Sequence, residues 1–226
     1  MNQTKQSALV ALVLLAGVST SAIAAEQASG ATLSGNIAAT STYVWRGLPQ
    51  TIDAALQGGV DYATAEGLHA GVWTSNVAGG SEMDISVGFA GNARGFGYDV
   101  GLILYMFPQW EAAAGPGEEY DFNEFYASIS KDVVSASFYT SSKAGDYLEV
   151  NADFEKVIGN WDLGLHLGTY EVDVDYSGLP GEDYKDYSVS LATKMNGLDM
   201  SIALSDTDLN DDSYRTIITV SKSFTP

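Results

Sequence analysis

His166 is the first residue to weigh for chemistry. On a strand over residues 160–171 it shares a face with Asp162, Gly164 and Gly168, and the flanking strands offer Ser188 or Ser190 on one side and Asn151 or Asp153 on the other. Those are the residue types of a hydrolytic triad: nucleophile, base and orienting group. A lipid hydrolase, however, needs its nucleophile where lipid reaches it. These side chains point inward at mid-depth, and serine is ordinary filler in a polar interior, so no catalytic residue is assigned. A second pattern, Asp206-x-Asp208-x-Asn210 followed by Asp211 and Asp212, begins like an EF-hand loop. The pattern then fails, because its sixth position is Asp211 where glycine makes the turn and its twelfth is Ile217 where glutamate would bind through both oxygens. It reads as a solvated acidic loop, as do Glu118-Glu119 and Glu182-Asp183. No metal site and no cofactor are assigned.

Composition narrows the rest. The chain has no cysteine, which removes thiolate metal sites, thiol nucleophiles and disulfides together. Ten Lys and Arg stand against 29 Asp and Glu, a net charge of -19, so a nucleic acid would be repelled rather than bound. Glycine accounts for 24 of 226 residues, above the usual ~7%. There are 13 tyrosines, and no segment after the first 25 residues sustains a helical period over four turns. An all-β chain is predicted.

Residues 1–25 read as a signal peptide. Lys5 supplies the positive start, Ala8 to Val18 an apolar run, and Ala22-Ile23-Ala24 the small residues that a signal peptidase reads. The run is shorter than the ~20 residues of a membrane-spanning helix. The leader contains one charge, Lys5, so the acidity belongs to the exported domain, residues 26–226.

From Ala31 onward apolar and polar residues alternate in twelve blocks: 33–46, 54–63, 67–77, 82–92, 95–107, 122–131, 133–140, 146–156, 160–171, 184–194, 198–206 and 213–224. Because 133–140 is short for a membrane crossing, ten strands is the fallback. The connections alternate in length. The region of Asp53, Ala78-Gly79-Gly80, 108–121, 141–145, 172–183 and 207–212 read as long, whereas Ala65-Glu66, Ala93-Arg94, Lys131-Asp132, Ile158-Gly159 and Asn196-Gly197 read as tight. Long loops at one end and short turns at the other are the pattern of a closed antiparallel up-and-down transmembrane β-barrel.

The apolar face is continuous. Trp161, Leu163, Leu165 and Leu167 alternate with Asp162, Gly164, His166 and Gly168, and Leu198, Met200, Ile202 and Leu204 alternate with Asp199, Ser201, Ala203 and Ser205. Phe96 through Met106 and Tyr187, Val189 and Leu191 follow the same rule. A soluble sandwich or lipocalin-like barrel can also alternate, with its apolar side inward. Strand length and aromatics near strand ends favour the membrane. Tyr43, Trp45 and Tyr214 are expected at the outer interface, and Phe96, Trp161 and Phe224 at the inner one.

Several stretches resemble the family of proteobacterial outer-membrane proteins called TorF-type porins. They include Tyr43-Val44-Trp45-Arg46-Gly47 with Gln50, Ala55 to Tyr62, Gly71 to Val77, Tyr98-Asp99-Val100-Gly101, Asn123 to Tyr126 and Leu163 to Gly168. Asp186 to Val189, Ser205 to Asp208 and Val220 to Phe224 close the series. The resemblance runs in order over most of the exported chain and implies an outer-membrane barrel and a pore of unspecified solute. One departure is that Thr225 and Pro226 follow Phe224, where such barrels commonly end on an aromatic residue read by the barrel assembly machinery.

With the apolar side in lipid, the channel-lining set is Arg46, Asp61, His69, Asp84, Asp99, Glu124, Tyr126, Glu149, Asn151, Asp153, Asp162, His166, Asp186, Lys194, Asp199 and Arg215. Carboxylates dominate, and such a lumen attracts cations and excludes anions. Twelve strands enclose less room than the sixteen to eighteen of wide porins, so a narrow passive channel for small hydrophilic solutes is expected, in contact with outer-membrane lipid. Arg46 and Arg215, taken to lie on the first and last strands, would pair with nearby acids. Whether the interior stays open or is plugged depends on packing. The alternatives are a non-conducting structural or adhesive barrel and a soluble secreted binding protein.

Overall fold

The computed structural model describes residues 30–113, 120–173, 180–210 and 214–225. The expected signal peptide lies outside them. The elements in chain order are β1 (Thr32–Thr40), β2 (Val44–Trp45), β3 (Leu48–Pro49), β4 (Ala55–Ala63), β5 (Leu68–Val77), β6 (Gly80–Ala93), β7 (Phe96–Met106) and α1 (Pro108–Ala113). They continue as β8 (Phe122–Lys131), β9 (Val134–Ser141), β10 (Gly145–Ile158), β11 (Trp161–Val172), β12 (Tyr184–Met195), β13 (Leu198–Thr207) and β14 (Arg215–Phe224). All but β2, β3 and α1 form one closed antiparallel barrel of twelve strands, each paired with its neighbour along the chain. Closure joins β1 to β14 from Gly35↔Phe224 to Thr40↔Thr219. No sheet edge is left open, so the backbone is satisfied without solvent, a condition for a sheet surrounded by hydrocarbon.

Period-two patterning sets which way each strand faces. Leu102, Leu104, Val150, Leu165, Leu167, Val189, Ile202 and Leu204 lie on the outside, each more than a third exposed. Between them Asp99, Glu149, Asn151, His166, Ser188 and Ser201 turn inward. An apolar belt this continuous far exceeds the patches that water-soluble monomers present. Phe96, Trp161 and Phe224 stand on the exterior beside the short turns, as expected, and Tyr214 is 71% exposed near the opposite end.

The strand ends match the alternation closely, and the short block becomes β9, paired along its whole length with β10. Two expectations are corrected. The connection Ala78-Gly79-Gly80 is as tight as those at the other end, because β5 runs to Val77 and β6 begins at Gly80, with Gly79 at φ 82°. The first strand does not continue to residue 46. It stops at Thr40, and residues 42–51 enter the lumen as a strap whose β2 and β3 pair through Val44↔Pro49 and Trp45↔Leu48, before the exposed residues 52–54 lead back to β4. Tyr43 and Trp45 are therefore 2% and 8% exposed inside the barrel, not at the outer interface.

The facing assignment is testable by charge. Leu165→Arg is expected to cost ~2–4 kcal/mol, the range for arginine near the bilayer midplane, whereas Ser188→Arg, directed into the lumen, should be close to neutral. Equilibrium urea unfolding in lipid vesicles measures both, and equal losses would contradict the assignment.

Candidate functional site

The strap is organised by its turn. Arg46 and Gly47 are the two residues between β2 and β3, with φ 47° and 80°, the doubly positive pair of a type I′ hairpin. Position 47 needs glycine for space as well, since a Cβ there would lie 2.5 Å from the Thr207 methyl and 2.7 Å from the Asp186 Cβ. Arg46 tolerates its left-handed backbone because the lumen holds both its ends. The Tyr184 hydroxyl donates to its carbonyl at 2.9 Å, and its guanidinium donates to both oxygens of Glu124 at 2.8 and 2.7 Å.

Aromatic rings enclose that pair. The guanidinium carbon lies 4.3 Å from the centroids of Trp45 and Tyr147, 4.8 Å from Tyr170 and 5.1 Å from Tyr139. The Tyr105 hydroxyl adds a third donor to Glu124 at 3.1 Å. Arg46 is 6% exposed and Glu124 0%. Burial works against the charge on Arg46, but the Glu124 carboxylate outweighs it and raises the guanidinium pKa above its ordinary range. Both groups are buried, paired and hydrogen-bonded, which is how buried charge is tolerated.

Further contacts anchor the strap on either side. The Tyr43 hydroxyl donates to Glu82 at 3.2 Å, and its amide donates to the Thr51 hydroxyl at 2.9 Å. Burial, then Glu82 and Asp84, raise the Tyr43 pKa, so the phenol remains a donor. Arg215 donates to the Gly47 carbonyl at 3.3 Å. The expectation that the two arginines sit on adjacent strands is thus corrected: Arg46 reaches across the lumen from the strap to β8, and Arg215 holds the strap from β14. Beside the strap, Ser81 donates to Gln109 of α1, and the Trp110 indole donates to the Ala78 carbonyl.

Two histidine networks line the wall beyond the cage, His69 near the short turns and His166 at mid-height, where Asp186 brings it up against the strap turn. His69 Nε2 is 2.9 Å from Asp99, which also accepts from Tyr126 at 3.1 Å. Gly88 leaves them room, since a Cβ there would lie 2.6 Å from the His69 ring and the Tyr126 hydroxyl. His166 places Nδ1 2.7 Å from Asn151 and Nε2 2.8 Å from Asp186, and Tyr147 donates to Asp186 at 2.9 Å. Both ring nitrogens are thus engaged, and among the described residues neither Ser188 nor Ser190 bonds to His166. The triad geometry is not assembled.

The remaining sequence-predicted residues fall on the inner wall or at its rim. Asp61, Asp153 and Asp162 are partly exposed and Asp84 is buried on the inner face. Glu149 accepts from Tyr139 at 3.3 Å. Asp199 meets Lys194 at 3.2 Å, with the lysine mostly in solvent. Asp206 and Asp208 accept from Tyr187 and from the Lys185 amide, while residues 211–213 of that acidic loop, and Glu118-Glu119, lie outside the described residues. Among the described residues no group of three or more His, Cys, Asp or Glu side chains is arranged to hold a metal. Sequence reasoning missed the aromatic cage of Trp45, Tyr139, Tyr147 and Tyr170. A signal was present in the even spacing that turns Tyr139, Tyr147 and Tyr170 inward on consecutive strands.

Breaking the central pair should be costly. Arg46→Met leaves Glu124 a buried unpaired carboxylate, and an expected loss of about 3–5 kcal/mol is measurable by urea unfolding in vesicles. Adding Glu124→Leu should recover part of it, and a negligible loss in the single variant would contradict the pair's role.

Among solved structures the barrel is similar to the KdgM porin, at TM-score 0.58 and 12% identity over 84% of this chain and 99% of that one. KdgM in complex with disordered oligogalacturonate gives TM-score 0.53 at 12% identity, over 85% and 99%. The NanC porin gives 0.55 at 8%, over 86% and 99%. At these identities the likeness establishes the fold. No curated protein matches the chain. The family model for bacterial proteins of unknown function named Gcw_chp matches residues 24–225, and the chain belongs to that family.

Proposed function

We propose that this protein is an outer-membrane channel of the TorF porin type, exported by residues 1–25, that passes small hydrophilic solutes and prefers cations. The observation that carries the reading is a closed barrel with an apolar exterior and an interior wall of partly exposed carboxylates, Asp61, Asp99, Glu149, Asp153, Asp162 and Asp199. Hydrocarbon suits the outside and water the inside. Asp61, His69, Asp99, Glu149, Asp153, Asp162, His166, Lys194, Asp199 and Arg215 are assigned to the channel lining, Asp84, Glu124 and Asp186 to the buried packing of the inner wall, and Arg46 to the strap that narrows the lumen. No catalytic role is assigned. Phe224 ends the closing strand on an exterior aromatic, which suits recognition by the barrel assembly machinery.

The acidic wall argues against a polyanionic solute. Oligogalacturonate, the ligand in one KdgM structure, would meet repulsion here, so its chemistry is not carried over to this chain. The narrowness follows from the strap, which with the surrounding tyrosines fills the end of the lumen nearest the long loops. The same closure favours a second reading, a barrel that does not conduct.

Planar-bilayer recording under a salt gradient separates the two readings. Small discrete steps with cation-selective reversal are expected from the native barrel, and larger steps after deletion of residues 42–53. Anion selectivity would overturn the acidic-channel reading, and silence from both forms would establish the non-conducting one.

A further inference from the structure

The barrel wall builds a receptor for a flat cation largely without help from the strap. Tyr139, Tyr147 and Tyr170, on the neighbouring strands β9, β10 and β11, face the Arg46 guanidinium, and Glu124 on β8 accepts from it through both oxygens. Of the four rings only Trp45 belongs to the strap. The wall groups are fixed by one another. Tyr139 donates to Glu149, Tyr147 to Asp186 and Tyr105 to Glu124, and Tyr170 lies between Tyr147 and Tyr184 at ring separations of 5.4 and 5.6 Å. A site oriented by its own scaffold is preorganised, and it keeps its shape when its occupant leaves.

The occupant, by contrast, hangs on a loop. The connection that carries Arg46 leaves β1 at Thr40 and returns to β4 at Ala55, and those two residues pair with each other across the sheet. The strap adds no strand to the barrel, whose β1–β14 register ends at Thr40. It can therefore swing toward the long loops without opening the ladder of the wall. Outside the cage, single hydrogen bonds from Tyr184, Arg215 and the Ala78 amide hold its backbone. Arg46 also keeps a φ of 47° that residues other than glycine rarely take, a strain that is relieved when it leaves.

We infer that the cage is a binding site for solutes bearing a guanidinium group, and that Arg46 is its tethered occupant, which such a solute displaces. Two parallel hydrogen bonds to Glu124 need a planar fork, and the ring faces need a flat, weakly hydrated cation; an ammonium supplies neither. Exchange of one guanidinium for another leaves Glu124 paired in both states, so no buried carboxylate is left bare. A tethered group competes at an effective concentration in the millimolar range or above. A free ligand therefore binds the native barrel weakly, and a barrel without the Arg46 side chain more tightly. The inference concerns binding alone and stands whether or not the barrel conducts.

Ethylguanidinium, the end of an arginine side chain, is the probe. Arg46→Gly keeps the hairpin turn and empties the cage; by calorimetry on the detergent-folded barrel it is expected to bind the probe at least ~tenfold more tightly than the native protein does. Adding Glu124→Leu should abolish that binding, and ethylammonium should bind Arg46→Gly at least ~tenfold more weakly than ethylguanidinium. Where Arg46→Gly fails to fold alone, millimolar ethylguanidinium during refolding is expected to restore heat-modifiable gel migration, and ethylammonium is not. Neither binding nor recovery would overturn the site, as would equal binding of ethylammonium or undiminished binding in the Glu124→Leu double variant. Equal affinity in the native protein and in Arg46→Gly would overturn the role of Arg46 as occupant.

Discussion

A guanidinium removed from water must be met by a carboxylate and by polarisable surfaces, and in this barrel Arg46 meets both at one point. Glu124 supplies two charge-assisted hydrogen bonds, and Trp45, Tyr147, Tyr170 and Tyr139 supply the ring faces. Because those groups come from the strap, β8, β9, β10 and β11, the interaction ties the strap to a third of the barrel wall. Tyr184 and Arg215 hold the backbone of the same turn from β12 and β14. The packed half of the lumen is thus a hydrogen-bonded and aromatic core built around one cation. The half nearer the short turns contains the partly exposed carboxylates Asp61, Asp99, Asp153, Asp162 and Asp199.

The barrel and the strap answer different constraints. Strand closure satisfies the backbone, and the outward leucines and valines suit hydrocarbon, so the wall would be stable around many interiors. The interior carries the particular chemistry. Glycines facing the lumen at 88 and 101 give Tyr126 its place, and the carboxylates outnumber the bases that could neutralise them. A lumen of this kind has a negative field, with Arg46 spent internally on Glu124.

Much of the wall was legible in the sequence because the strand period is two and any slip would turn Leu165 inward and His166 outward. Turns such as Asn196-Gly197, with both φ positive, mark their own positions. The strap was not legible by the same rule. Ser41, Tyr43 and Trp45 prolong the alternation of β1 without a break, so periodicity reads one strand where there are two elements. The local signal lies in Arg46-Gly47 followed by Pro49, a hairpin turn and then a residue that cannot extend a central ladder. The arginine's partner was beyond reach, since Glu124 is 78 residues away and only closure brings it across. Likewise His166 was placed correctly on the inner face, but its engagement by Asn151 and Asp186 rather than by serine depends on side-chain angles that periodicity does not specify. The short connection at Ala78-Gly79 was read as long because glycine and alanine serve loops and tight turns alike.

The most direct measurement is the proximity of the Arg46 guanidinium to the Glu124 carboxyl in a lipid bilayer, by solid-state NMR dephasing between ¹⁵N-labelled arginine and ¹³C-labelled glutamate side chains. Only three arginines, Arg46, Arg94 and Arg215, share the label. Strong dephasing, as from a doubly hydrogen-bonded pair, that disappears in Arg46→Lys and persists in Arg215→Lys would establish the strap inside the lumen. Absence of that dephasing in the native protein, or its persistence in Arg46→Lys, would contradict it.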